Sequence, residues 1–372
     1  MKKFNWLLIL LSLTLSILLS CTSKPERLIV GGFTKADSKG LSVFDFNPGN
    51  GDLKLVSEAR VGPNPSYFCF SAKTNLFYVA NEVMEFNGTF GGGLTTFKYE
   101  AEEATFEKIN EMLIPYGGPC YISMSADSSH LFIANYPNGS VAVVRLDNIG
   151  IPSEITDTIL YNKSAPDESH AHMILSDPEG KKVYVTDLGL DRIIVYDFDK
   201  TTGQLIQTEN GLVQLPDGIG PRHFVFNANG SNLYVINELG SKMLVFNIKE
   251  NEEPGLVQIL PTTRSSFEGN NYCADVHISK DGKFLYGSNR GENTIVTYKV
   301  EPDGTLTIAG HTSCGGDWPR NFVIDPSGKF LLVGNQKSDS ISVFRLNKKT
   351  GLPVEPGKDF KCNAPACLKF IE

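Results

Sequence analysis

The chain predicts an all-β fold, a seven-bladed β-propeller with four-stranded antiparallel blades, on three observations. A strand–turn–strand frame recurs six times at intervals of about fifty residues, the period of a blade or solenoid unit. The frames consist of short β-branched and aromatic runs around Gly, Asn and Asp turns, without helical periodicity after the first twenty residues. The two chain ends carry complementary parts of one further unit.

Taken in chain order, residues 1–20 stand outside the fold. Lys2 and Lys3 precede an apolar run from Leu7 to Leu19, a pattern of signal-peptide type that is short for spanning a bilayer. Leu18-Leu19-Ser20-Cys21 resembles a bacterial lipoprotein box, cleaved before a cysteine that is then acylated. Residues 21–27 then form a lipid-bearing tether, and 28–372 the propeller. The expectation is an exported protein, held in the cell envelope through Cys21 alone.

Residues 28–58 carry strands such as Leu28-Ile29-Val30 and Leu41-Ser42-Val43-Phe44 but lack the first strand of a unit. The full frames run 65–81, 119–135, 171–187, 220–237, 273–289 and 318–335. The fourth and sixth are near copies, each opening on Pro-Arg and stepping from a turn glycine (Gly230, Gly328) to an asparagine (Asn237, Asn335). In the fourth, Phe224-Val225-Phe226 leads through Asn227-Ala228-Asn229-Gly230 into Leu233-Tyr234-Val235-Ile236, which is hairpin chemistry. Pro365 to Ile371 supplies a lone first strand. Joining it to the N-terminal strands completes a seventh blade and removes the exposed sheet edges that an open solenoid must cap.

The composition supports a packed domain: 41% of the 372 residues are hydrophobic and 20% charged, which excludes a disordered chain. The formal net charge of −8 and the absence of a basic block argue against a nucleic-acid partner. Beyond Cys21 there are six cysteines, none in a CxxC pair, so metal ligation has little support. Cys362 and Cys367 are close enough in sequence to bridge after export, but burial of all six as small hydrophobes is at least as good a reading.

The repeat also locates the chemistry. Fifteen residues before each Asn/Asp anchor stand Ser66, Cys120, His172, Arg222, Ala274 and Arg320; immediately after it stand Glu82, Tyr136, Leu188, Glu238, Arg290 and Gln336. Strand one starts and strand two ends at the same end of a blade, so these positions converge on one mouth of the channel. His170, His223, Asp275 and Asn321 adjoin them. Such groups require partners or an anionic ligand when buried. A polar plug stitched by Arg–Glu pairs is the bland alternative. His130 reads as structural, and His277 and His311 fall outside the two positions. No nucleophile elbow, metalloprotease motif, phosphate loop or dinucleotide fingerprint competes. His170 and His172 lack a clear third metal ligand, so the expectation is a site without metal or cofactor.

At these positions the chain resembles the seven-bladed propeller lactonase family, which includes bacterial 6-phosphogluconolactonase-type and fungal carboxymuconate-lactonizing-type enzymes. The resemblance spans nearly all of the mature chain. It rests on Val30-Gly31-Gly32-Phe33-Thr34 with Gly40-Leu41, His170-Ala171-His172, Asp187 to Arg192, Gly220-Pro221-Arg222-His223, Asn237-Glu238-Leu239, Ser288-Asn289-Arg290-Gly291 and Trp318-Pro319-Arg320-Asn321. It implies catalytic roles for His172 (or His170), Glu238, Arg222 and Arg290, and lactone ring opening by a base-activated water. His170, His223, Asp275, Arg320, Asn321, Gln336, Glu82 and Tyr136 are expected to bind substrate. The family often carries His where Asn321 stands, a difference that touches substrate choice. Either Glu238 or His172 serves as base on this reading, with the arginines holding the oxyanion and an acidic substrate group. Lactone hydrolysis of the 6-phosphogluconolactonase kind is the nearest named activity. The alternatives are a muconate-type lactonizing isomerase or lyase, and a non-catalytic surface propeller binding acidic sugars or a protein. A phosphorylated sugar lactone belongs in the cytoplasm, so either the export reading is wrong and the protein is cytoplasmic, or the substrate is an unphosphorylated or otherwise acidic lactone outside.

Overall fold

The computed structural model describes residues 26–371 apart from 36–37, 162, 164, 166–167 and 251. The expected signal peptide and Cys21 lie outside the described residues. Glu26 and Arg27, assigned above to the tether, already belong to the first strand, Glu26–Gly32.

Seven four-stranded antiparallel sheets form the ring, and no α-helix occurs among the described residues. Innermost strands of blades one to six are Pro65–Ser71, Pro119–Met124, Ala171–Ser176, Pro221–Phe226, Tyr272–Ile278 and Pro319–Ile324. Blade seven orders Leu53–Arg60, Gly40–Phe46, Glu26–Gly32 and Pro365–Ile371, so the last strand of the chain lies innermost and pairs Val30 with Leu368 and Gly31 with Cys367. The ring closes as the complementary ends predict.

Each blade grades from core to solvent. In blade four the innermost strand Pro221–Phe226 and its neighbour Asn232–Asn237 are almost wholly buried. Outermost Gly255–Pro261 alternates between exposed and half-buried, as expected for an edge with one covered face. Apolar faces of successive blades pack on one another, and this inter-blade packing is the core.

The recurring anchor has a physical reason. Asn81, Asn135, Asp187, Asn237, Asn289 and Asn335 are all fully buried. Asn81 Nδ2 donates to the Val61 and Pro63 carbonyls at 3.0 and 2.9 Å, in the segment arriving from the preceding blade. Asn289 does the same to the Thr262 carbonyl at 2.7 Å. At Asn81, Asn135, Asn289 and Asn335 the side-chain amide thus satisfies backbone where one blade hands over to the next. Asn237 instead bonds carbonyls of its own blade, and Asp187 accepts from Ser169, the His170 amide and Arg192. A second recurring tie joins Tyr78, Tyr234 and Tyr286 hydroxyls to the Gly150, Gly304 and Gly351 carbonyls, at 2.7, 3.0 and 2.9 Å.

One insertion departs from the repeat, and no cysteine bridge occurs among the described residues. A small hairpin, Glu85–Phe86 with Thr89–Phe90, is inserted after Glu82 in blade one. Cys362 and Cys367 are both free thiols, as are the four other described cysteines, and all six are buried. Cys362 follows the outermost strand of blade six, whereas Cys367 lies in the innermost strand of blade seven, so nearness in sequence does not join them.

Candidate active site

A β-bulge opens each innermost strand and builds the site. In blade four Pro221 pairs with Asn237 but His223 with Ile236, which leaves Arg222 as the extra residue. The same shift isolates Ser66, Cys120, His172 and Arg320, and in blade five it lies between Cys273 and Val276. A bulge interrupts strict alternation and re-aims its side chain, so consecutive residues such as Arg222 and His223 reach the same space. Two tiers result: the bulge residues at the mouth, and the residues that follow them beneath.

The lower tier closes the pore. Tyr67 and Tyr121 rings meet at 4.3 Å between centroids, and His223 lies 5.4 Å from Tyr121 and 6.2 Å from Tyr67. His223 Nδ1 bonds Asp275 Oδ1 at 2.8 Å. Asp275 Oδ2 accepts from Asn321 Nδ2, from His277 Nε2 at 2.9 Å and from the Phe322 amide at 3.3 Å. Asn321 Oδ1 in turn accepts the Leu368 amide at 2.7 Å, tying the network to the closing strand. The cup therefore has a bonded floor.

Its electrostatics follow from burial and neighbours. Despite the cost of burial, these partners hold the Asp275 carboxyl far below the usual carboxylate range. Burial, with Arg222 next to it, depresses His223 to about 4 although Asp275 pulls the other way. An ionised Asp275 facing a neutral His223 fixes the proton on Nδ1 and leaves the Nε2 lone pair toward Arg222 Nη1, 3.4 Å away.

In the upper tier Glu238 joins two arginines. Arg290 Nη2 lies 2.7 Å from Glu238 Oε2. Arg222 Nε lies 2.9 Å from the same oxygen without being aimed at it, so that contact is an ion pair rather than a hydrogen bond. Backbone takes further donors: Arg222 Nη1 bonds the Ala274 carbonyl, and Arg290 bonds the Tyr272 and Cys273 carbonyls at 3.0 and 3.1 Å. Burial opposes ionisation of Glu238, but Arg290 and Arg222 outweigh it and hold the carboxyl below its ordinary value. Burial and Arg222 bring Arg290 down to about 10, which leaves it charged at neutral pH.

His172 and the Glu82–Arg320 pair are less committed. His172 is buried, its Nδ1 has no hydrogen-bond partner, and its ring lies 5.1 Å from His223 and 5.5 Å from Tyr136. Burial, then Arg222, His223 and Arg320, keep it well below the usual histidine value, so it is neutral at pH 7. Arg320 Nη2 lies 3.9 Å from Glu82 Oε2, and the Arg320 guanidinium covers the Phe33 ring at 4.8 Å.

The other expected residues fall at or near the rim. His170 stacks on Tyr136 at 4.6 Å and its Nδ1 lies 3.0 Å from the Tyr136 carbonyl, so it props the wall of the cup. Gln336 is half-buried after Asn335, with its amide on the Trp318 carbonyl at 3.0 Å. His130 is buried beside Phe198 with Ser129 Oγ 2.8 Å from Nδ1, consistent with a structural role. Three contributors escaped the two-position pattern: Tyr67 and Tyr121 in the floor, and His277, which joins it through Asp275. The bulge accounts for all three, since a residue just after it faces the pore, as does the one two further on.

A closed propeller whose channel mouth gathers buried His, Glu and Arg side chains has the architecture of a small-ligand enzyme site. The profile of the lactonase, seven-bladed β-propeller family matches residues 27–370, and the chain belongs to that family of lactone-hydrolysing enzymes. It is 32% identical over 354 residues to a 6-phosphogluconolactonase from Formosa agariphila, covering 92% of this chain and 99% of that one. A 6-phosphogluconolactonase from Bacillus subtilis is 26% identical over 92% of this chain and 97% of its own. Among solved structures, the periplasmic gluconolactonase of Pseudomonas aeruginosa superposes with a TM-score of 0.86 at 30% identity, over 93% of this chain and 99% of that one.

Proposed function

We propose that the protein hydrolyses an aldonolactone, with the unphosphorylated gluconolactone type preferred over its 6-phospho ester, and that His172 is the base that activates water. The observation that carries this reading is a neutral, buried imidazole whose Nδ1 is unpaired, set within the field of two guanidiniums, those of Arg222 and Arg320. Water loses a proton to His172 as its oxygen attacks the lactone carbonyl, and the charge gathering on the carbonyl oxygen offsets the arginines that otherwise suppress that imidazole. Glu238, already ionised and held by two arginines, is a poor proton acceptor. It positions Arg222 and Arg290 instead.

The preference for an unphosphorylated ring follows from how the guanidiniums are spent. Arg222 and Arg290 are engaged by Glu238 and by backbone carbonyls, which leaves Arg320 to meet the reacting oxygen and no free cluster for a phosphate dianion. Export through the Cys21 lipoprotein box agrees with this preference, as does similarity to a protein described as a periplasmic gluconolactonase. The test is hydrolysis of glucono-1,5-lactone and its 6-phospho ester by purified protein, with the spontaneous rate subtracted. Faster turnover of the unphosphorylated lactone is expected, and loss of that activity in His172→Asn. Ligand protection without turnover would identify a binding module instead.

A further inference from the structure

We propose that Glu82 is the general acid of this reaction, protonating the ring oxygen as it leaves, while Arg320 holds the oxyanion. The inference rests on the lactonase reading of the cup and deepens it by assigning the second proton transfer.

The argument starts from the difference between the two Arg–Glu groups at the mouth. Glu238 is closed, with two guanidiniums within 2.9 Å and those guanidiniums tied to backbone. Glu82 is open: its Oε2 is buried without a hydrogen-bond partner, and its nearest cation stands off at 3.9 Å. Arg320 makes no hydrogen bond to the described residues, only the Glu82 contact and the Phe33 ring. A guanidinium carries five donors in a fixed fork, and leaving them unused beside a neutral base suits a ligand oxygen.

The groups facing Glu82 are Arg320, Arg222, the Ser66 side chain and the Cys120 thiol, which burial keeps protonated. Burial pushes the Glu82 carboxyl above its ordinary value, and Arg320, Ser66 and Arg222 offset only part of that. An anionic oxygen arriving at Arg320 cancels the nearest offsetting charge, so the carboxyl's affinity for a proton rises as the oxyanion forms. When the oxyanion collapses, Arg320 regains its full field at Glu82 and the proton is released as the leaving oxygen needs it.

The step balances. A water proton passes to His172 as the water oxygen bonds to the carbonyl carbon. The carbonyl pair moves onto oxygen beside Arg320, then returns to break the ring C–O bond, while the Glu82 proton moves to the departing alkoxide. The new carboxylic acid ionises, returning a proton to Glu82, and His172 sheds its own to solvent. The net change is one lactone and one water to one hydroxy acid, released as carboxylate and proton.

The test combines turnover with proton linkage, using gluconate as an unreactive carboxylate. Calorimetric titration of the full protein with gluconate near pH 6, in two buffers of different ionisation enthalpy, should show proton uptake on binding, and the uptake should be smaller in Glu82→Gln, the remainder belonging to His172, which the same arginines suppress. The same variant should lose at least about a hundredfold in kcat with little change in KM, a typical contribution from a positioned acid. Glu82→Asp should restore part of both signals, which separates lost chemistry from lost folding. Retention of wild-type kcat by Glu82→Gln, or unchanged proton uptake in it, overturns the assignment. If the wild-type protein hydrolyses no aldonolactone, the functional reading itself falls, and the wild-type rate alone shows this.

Discussion

Glu238→Gln removes one charge from a buried cluster while preserving shape, and the structure sets the size of the effect. The carboxylate is the shared partner of Arg222 and Arg290, whose side chains are 2% and 5% exposed. Removing one member of such a cluster leaves uncompensated buried charge, at a cost of roughly 3–5 kcal/mol. For a domain of this length, the usual unfolding entropy per residue converts that to a fall in melting temperature of about 4–7 °C. Because the Arg222 charge, no longer offset by Glu238, then suppresses the His172 base further, kcat/KM should fall by about a hundredfold, the low end of what a positioned base contributes. Differential scanning calorimetry at pH 7 and initial rates on gluconolactone measure both. A variant that melts within a degree of wild type and keeps its turnover would refute the view that this carboxylate clamps the two arginines.

Further expectations follow from the same network. Arg290→Ala should cut turnover by orders of magnitude while circular dichroism still reports a folded propeller; unchanged rates would remove Arg290 from the mechanism. Stability should fall as pH drops from about 6.5 toward about 4: His223 and His172 are held below their ordinary values in the fold, so the unfolded chain binds more protons there. Urea midpoints measured across that window test this, and His223→Asn should flatten the slope. Asn289→Ala strips the Thr262 carbonyl and the Thr294 hydroxyl of a buried donor and should cost about 1–3 kcal/mol, read as a lower urea midpoint with no change in m-value. Palmitate labelling in a bacterial host should mark the wild-type protein and not Cys21→Ala.

The ring was legible because blade repetition is written in local chemistry: a Gly turn, two short apolar strands and a buried Asn at fixed spacing. The chain ends were equally legible, since half-units without partners can be completed only by each other. The mouth positions came from the same spacing, and His172, Arg222, Glu238, Arg290, Glu82 and Arg320 do gather there. The pattern could not reveal the bulge, because a one-residue ladder shift leaves the hydrophobic alternation nearly unchanged while re-aiming the side chain beside it. That is why Tyr67 and Tyr121 escaped notice and His277 falls outside the two positions. Nor does spacing tell an engaged guanidinium from a free one. Arg222 and Arg320 share the Pro-Arg motif, yet Arg222 meets Glu238 and the Ala274 carbonyl where Arg320 has only a distant Glu82. The inserted hairpin at Glu85–Phe90 breaks the repeat and so has no template in it.

The most direct test is the rate at which purified protein opens glucono-1,5-lactone above the spontaneous background, measured for wild type and His172→Asn side by side. Hydrolysis that is well above background in the first and close to it in the second is the expected result. A wild-type rate no faster than water, or a variant as fast as its parent, would contradict the account at its centre.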